Sequence, residues 1–309
     1  MGPKDAFITA FSSQLVDHNL ISYTIAIEDK IYTTIPTQNY GFWNDSFPRE
    51  VYIPFHFFPG GDENTESNRE DGKINKFSCL ANSANVKKIM VSALKSKNLY
   101  RIGIALHTYA DSFAHQNFSG KLEDWNIIGN SSIIPAIGHA QALTKPDDPT
   151  LVWEDPRLRG KEKKVNNYQR CLTAVKKIYR YLCLFCGKDY DDEDFILERY
   201  KKILNYGSRS KQGKERIYDF IIDENVPQYS RSSWIERALK DFIDIKDDKL
   251  YDGYSKLLWL RDSLLYRSSI LTPKSYKAAE NFYDSHFYKW QEEAKNHLSE
   301  AQSIINSLN

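Results

Sequence analysis

His107, Asp111 and His115 stand four residues apart in the stretch ALHTYADSFAHQNFSG. An α-helix turns by about 100° per residue, so steps of four keep the three side chains on one stripe. Two imidazoles and a carboxylate on such a stripe are ligands for zinc-like ions. The neighbours Leu106, Tyr109, Ala110, Phe113, Ala114 and Phe118 are largely apolar, which places the stripe inside the fold. Burying three ionisable groups is unfavourable unless something pairs with them, and a metal ion is an economical partner. A satisfied core histidine explains one such residue more easily than three in register.

Four further residues extend the constellation. His56 lies in the apolar run IPFHFFPG, where a polar ring needs a partner, and His139 follows Gly138 in PAIGHAQ. A glycine there lets the backbone approach something closely. Asp147 belongs to KPDDP, a loop constrained by two prolines, and Asp17 closes the first helical stretch. His107 and His115 are separated by about 12 Å of helical rise, and metal–nitrogen bonds are only about 2 Å, so the two do not share one ion. We therefore expect at least two metals along this helix, with Asp111 reaching towards either. Asp17 and His56 would complete the ion at His107; His139 and Asp147 would complete the one at His115. Two ions about 3.5–4 Å apart clamp a phosphoryl group and generate hydroxide near neutral pH. Two zinc ions are the expectation, with manganese and iron also compatible with these ligands. His18 reads as a surface residue, and His286 and His297 as ordinary side chains of the last helix.

Helical periodicity positions these residues. Residues 4–17 read as one helix striped by Phe7, Phe11 and Leu15. Residues 20–60 crowd Tyr, Ile, Thr and Pro together and read as irregular or short extended structure, closed by Pro59-Gly60-Gly61. Helices are expected over Asn85 to about Lys95 and over Leu99 to about Gln116, then a loop from Ser119 to Pro149. From Asn166 the pattern is helical again, with breaks near Gly187, Gly207 and Gly213. Thr272-Pro273 reads as the start of a final helix carrying Tyr276, Ala279, Tyr283, Phe287, Trp290, Ala294, Leu298, Ala301, Ile305 and Leu308 on its apolar stripe. The expectation is an all-α chain: one multi-helix domain over residues 1–309, with irregular metal-bearing loops, its metal site within 5–155 and a helical remainder over 156–309.

Bulk properties exclude several classes. Of the 309 residues, 41% are hydrophobic and 27% charged, and the formal net charge of +1 gives no whole-chain attraction to nucleic acid or acidic membranes. The segment Arg157–Glu215 differs, with sixteen Lys/Arg against eight Asp/Glu, a net of +8 that reads first as solvated helix faces. Four cysteines make no disulfide framework in a chain this long, and Cys183 and Cys186 read as core thiols on a helix. No apolar run is long enough to span a membrane. The opening MGPKDAFITAFSS lacks signal-peptide features and enters a helix abruptly, as though a native segment had been removed; a cytoplasmic location is the expectation. The chain has no HExxH, phosphate-binding P-loop or Glu-x-x-His motif, and Asp17-His18 reverses the His-Asp dyad of other helical phosphohydrolases.

The order of these residues resembles that of the zinc-dependent phospholipase C and single-strand nuclease superfamily: an early Asp, a His, a His-x-x-x-Asp pair, another His, and a later His followed by a carboxylate. The phrases PFHFFPG, HTYADSFAHQNFSG and GHAQALTKPDDP are similar to those of an uncharacterised bacterial branch of that group. The resemblance covers roughly residues 5–155. It implies an all-helical fold holding up to three zinc ions. It also implies Asp17 as a bridging carboxylate that orients the attacking water. His56, His107 and Asp111 would form the first zinc set, and His115, His139 and Asp147 the second. The pattern departs from the family in three places. His115 follows Asp111 at four residues where the phospholipases have six, and Leu143 stands where they place the carboxylate after the last His. MGPKDAFITA offers nothing for a third zinc, so either two metals bind or a segment carrying ligands is missing.

The expected function is metal-dependent phosphoester hydrolysis, most simply by a phosphodiesterase, with Asp17 as general base and a nucleotide, nucleic acid or phospholipid as substrate. Trp43, Phe57, Tyr109, Phe113, Trp125 and Trp153 are the aromatics that could stack on a base or pack an acyl chain, although the core claims most such residues. The alternative is a non-catalytic helical protein with a structural metal and a partner-binding role.

Overall fold

The computed structural model describes residues 1–39, 46–64, 68–129, 134–204, 226–242 and 274–308. At its centre runs α3 (Leu99–Ala114), capped by Asn98, whose side chain accepts from the backbone of Tyr100 and Arg101. Nearly every α3 residue from Arg101 to Tyr109 is buried, because neighbours cover it on all sides: α1 (Pro3–His18), α2 (Ala84–Ser96), α4 (Asn167–Cys186) and the last helix. The tightest approach is between α1 and α3. A Cβ on Gly103 would stand 2.4 Å from the Thr9 carbonyl oxygen and 2.5 Å from the Ser12 Cβ, so only glycine permits this packing.

The all-α expectation is overturned by two sheets. Strands β1 (Tyr23–Ile27) and β2 (Lys30–Thr33) form an antiparallel pair, and the small pair β3 (Val152–Glu154) and β4 (Lys164–Asn166) stands apart. Helix α5 (Glu193–Leu204) follows α4, and the short α6 (Ser233–Ala238) leads into β5 (Leu239–Lys240). Then β6 (Lys274–Ala278) lies parallel to β1, with Ile25 opposite Tyr276, giving a four-stranded order β2-β1-β6-β5. Residues expected in the first turns of the final helix are therefore strand. That helix, α7 (His286–Asn306), begins only at the Ser285 cap, whose hydroxyl accepts from the Tyr288 backbone at 3.1 Å. Thr272-Pro273, Gly207, Gly213 and Trp43 lie outside the described residues. The buried stripe of α7 is Phe287, Trp290, Ala294, His297, Ala301 and Ile305. Trp290 joins α7 to α1 by donating to the Ser12 carbonyl at 3.1 Å.

Two irregular segments frame the site. Pro48–His56 forms a π-helical turn, a wide geometry uncommon outside functional regions, closed by the Phe57 N–H donating to the Tyr52 carbonyl. The described residues between Ser119 and Pro149 are mostly turns and short 3₁₀ segments. Among the described residues, no helix is long and apolar enough to cross a membrane.

Candidate metal centre

Four segments carry the candidate side chains: α1, the π-helical turn, α3 with its C-terminal end, and the 119–149 loop. The last turn of α1 carries Asp17, drawn to α3 by the Gly103 contact. His107 sits mid-helix on α3, 8% exposed, with Asp111 one turn further. α3 ends at Ala114, so His115 steps off the helix with φ −90° and ψ 18°, short of the expected end near Gln116. His56 closes the π-helical turn, and His139 and Asp147 come from the 119–149 loop.

The hydrogen bonds orient the rings. His56 Nε2 donates to the Thr37 carbonyl at 2.8 Å, His115 Nδ1 to the His56 carbonyl at 2.8 Å, and His139 Nδ1 to the Leu143 carbonyl at 3.0 Å. A carbonyl only accepts, so each of these nitrogens carries a proton and the other nitrogen is the one left for a metal ion or a second proton. Those second nitrogens point at carboxylates. His56 Nδ1 lies 3.0 Å from Asp111 Oδ2 and 3.9 Å from Asp17 Oδ1. His107 Nε2 lies 3.2 Å from Asp111 Oδ2 and 3.5 Å from Asp17 Oδ1. His115 Nε2 and His139 Nε2 lie 3.3 and 3.4 Å from the same Asp147 Oδ1. Imidazoles that give one nitrogen to a backbone carbonyl and aim the other inward have the arrangement that orients metal ligands.

Among the described residues, ligand atoms lie within 4.8 Å of one another in two groups of three: Asp17, His56 and His107, and His115, His139 and Asp147. Donors around a tetrahedral zinc with bonds of about 2.0–2.1 Å stand about 3.3 Å apart. The separations above scatter about that value, so the residues present fit such an ion in each group. Asp111 stands between them, its Oδ2 also 3.8 Å from His115 Nδ1. The carboxylate touching members of both groups is thus Asp111, whereas Asp17 lies with the first group alone.

Electrostatics follow from the proximity. Burial opposes protonation of His107 and His115 and is the largest single influence, but the carboxylates together outweigh it, Asp111 with Asp17 at His107 and Asp111 with Asp147 at His115; both rings rise to about 9. Burial alone would raise the Asp111 carboxyl, yet the two rings hold it well below the usual carboxylate range. Burial pushes the His139 ring down despite Asp147. Asp147 is lowered, because its histidine neighbours outweigh the burial that would raise it.

Asp17, His56, Asp111, His115, His139 and Asp147 line a cleft of about 470 Å³ together with Gln38, Asn39, Tyr52, Phe57, Ile137 and Gly138; His107 is not in its lining but lies against Asp17 and Asp111. Phe57 stacks on His115 with centroids 4.6 Å apart and planes at 20°. Leu143, at φ +58°, holds a backbone conformation unfavourable for a branched side chain, and its carbonyl receives the His139 proton.

A family of unknown function, DUF6765, matches residues 1–305. The chain belongs to the DUF6765 family. The match takes in both the cleft residues and α7. No curated protein and no solved structure matches the chain.

Other candidates of this DUF6765 chain lie elsewhere. Phe57 lines the cleft, but Tyr109, Phe113 and Trp153 are core, and Trp125 sits beneath the Arg69 guanidinium at 4.2 Å. No described residue of the basic 157–215 segment lines the cleft, and Lys176 and Arg180 of that segment clasp Glu193. All four cysteines are free. His18 is half-buried beside Tyr229, and His286 stacks on Trp234. Sequence reasoning missed Gln38, Asn39 and Tyr52. It also took His297 for an ordinary helix residue; that side chain is fully buried behind the cleft, and its place in the α7 stripe was the available signal.

Proposed function

We propose that the protein is a metal-dependent phosphoester hydrolase acting on phosphodiesters, with two divalent ions, zinc first, held in the cleft. The observation that carries the reading is the pair of His-His-Asp groups, each with its imidazoles pre-oriented by backbone carbonyls, around a shared Asp111. Two dications against three carboxylates leave one positive charge, which suits a singly charged diester. The ligand-order resemblance to the zinc-dependent phospholipases and nucleases points the same way.

Bound there, the ions would polarise a phosphoryl oxygen and supply hydroxide near neutral pH. The protein's own residues do the rest. Asp17, its side chain 43% exposed, is the carboxylate placed to take a proton from the attacking water. Asp111 keeps the two groups in fixed relation, and His115 and His139 hold Asp147 at the opposite side. Tyr52, Phe57 and Ile137 give the cleft an apolar wall for one ester substituent, a nucleobase or an acyl chain. The cleft volume suits a small diester better than a duplex.

Hydrolysis of bis(p-nitrophenyl) phosphate, lost on chelation and restored by zinc or manganese, is the test. A protein carrying two ions yet turning over no phosphodiester, nucleotide or phospholipid would overturn the proposal. One observation favours a second reading, a structural metal: with Asp111, the first group gathers four protein donors, the closed set of structural zinc sites. Unfolding on chelation without turnover would favour that reading.

A further inference from the structure

The π-helical turn that delivers His56 ends in three consecutive backbone carbonyls, and a side chain from elsewhere takes each one. The Pro54 carbonyl accepts from His297 Nε2 at 2.9 Å, the Phe55 carbonyl from Thr108 Oγ1 at 3.0 Å, and the His56 carbonyl from His115 Nδ1 at 2.8 Å. Helix ends leave such carbonyls without intrahelical partners. In a π-helix the donor to Pro54 would come from residue 59, a proline with no N–H. His297 fills that vacancy from α7, more than two hundred residues away in sequence.

His297 is held on every side. Its ring stacks on Phe55 with centroids 5.1 Å apart and planes at 20°, and Nε2 lies 3.3 Å from Thr108 Oγ1. The side chain is fully buried, yet its Nδ1 has no hydrogen-bond partner. A buried, unpaired nitrogen is unfavourable, and an apolar residue would fill the α7 stripe without that loss. The N–H on Nε2 is what an apolar residue lacks.

We propose that His297 is a positioning residue of the metal cleft: by holding the Pro54 carbonyl, it fixes the turn so that His56 presents Nδ1 to the first His-His-Asp group. This rests on the metal reading of the cleft. It ties the last helix to the site, although every ligand candidate lies before residue 148.

The test compares the wild-type chain with His297→Leu, which keeps bulk and loses the donor, and His297→Gln, whose amide can still donate to Pro54. Cobalt(II) is titrated into metal-free protein, following the visible d–d bands, and zinc affinity is measured by competition with a chelator. His297→Leu is expected to lose tenfold to a hundredfold in affinity for one of two equivalents and to change that ion's cobalt spectrum, as loss of outer partners of metal ligands does. His297→Gln should recover much of both and, as the more conservative variant, supplies the comparison if His297→Leu fails to fold. A lowered melting temperature with unchanged affinity and spectrum in both variants overturns the positioning role and leaves the metal reading intact. Absence of any cobalt or zinc binding by the wild-type chain overturns both.

Discussion

His56 Nδ1 and His107 Nε2 face each other at 3.2 Å, brought together across fifty-one residues with their rings nearly perpendicular. Since His56 Nε2 gives its proton to Thr37, two lone pairs would point at one another unless a cation lies between them. A proton serves in the metal-free chain, and a metal ion satisfies both nitrogens and Asp17 together.

Stoichiometry follows from that relationship. Elemental mass spectrometry on protein purified without chelator should give two zinc equivalents per chain. His107→Ala should retain one, because its group alone is broken, and His115→Ala should retain the other. Retention of both ions in either variant would place the metals somewhere else.

Acidity gives a second prediction, with different outcomes for the metal-free and loaded forms. In the metal-free chain His107 and His115 rise from 6.5 to about 9. A ring whose folded pKa exceeds its unfolded value stabilises the fold fully below 6.5, and that contribution is lost as pH rises through about 9. The chelated chain should therefore melt at steadily lower temperature between pH 6.5 and 9. Zinc displaces these protons, so the loaded chain should show little of that decline and should release protons on binding. Thermal melts across this range check it; a flat profile for the chelated chain would contradict the assignment.

Asp111→Asn keeps the shape of the central side chain and removes its charge. Phosphodiester turnover is expected to fall about a hundredfold or more, since the groups on either side lose their common anion, while circular dichroism stays as in the wild type. Full activity in this variant would sink the proposed mechanism.

What the sequence made legible depended on locality. His107 and Asp111 share a helical turn, and their spacing alone put them on one face. Asp17, His56, His139 and Asp147 stood out by residue type in apolar or constrained surroundings, and the chain brings all of them to the cleft. The sheet was not visible because β1 finds its parallel partner β6 some 250 residues on, and KSYKA has no apolar alternation to announce a strand. Periodicity carried the final helix back into that strand because Tyr276 and Ala279 fell in phase with Phe287. Pro59 has no N–H to give the turn, but nothing local in the sequence named His297 as the replacement. Nor did the sequence show that His115 leaves the helix, which is what lets its ring turn towards Asp147 rather than continue the stripe.

Gly138 offers the most selective perturbation of the second group. It lies at φ +49°, and a Cβ there would stand 2.4 Å from the tip of the Phe57 ring. That ring is stacked on His115 and tilted against His139 at 5.8 Å, so it cannot retreat without moving a ligand candidate. Gly138→Ala adds strain at a positive φ and overpacks a closed contact, together roughly 1–3 kcal/mol of destabilisation. Denaturant unfolding should show that loss, and metal titration should show weaker binding of one ion with the other, at Asp17, His56 and His107, unchanged. Equal weakening of both ions would mean that Asp111 couples the groups too tightly for them to bind independently. Unchanged binding of both would mean that Phe57 does not support His115.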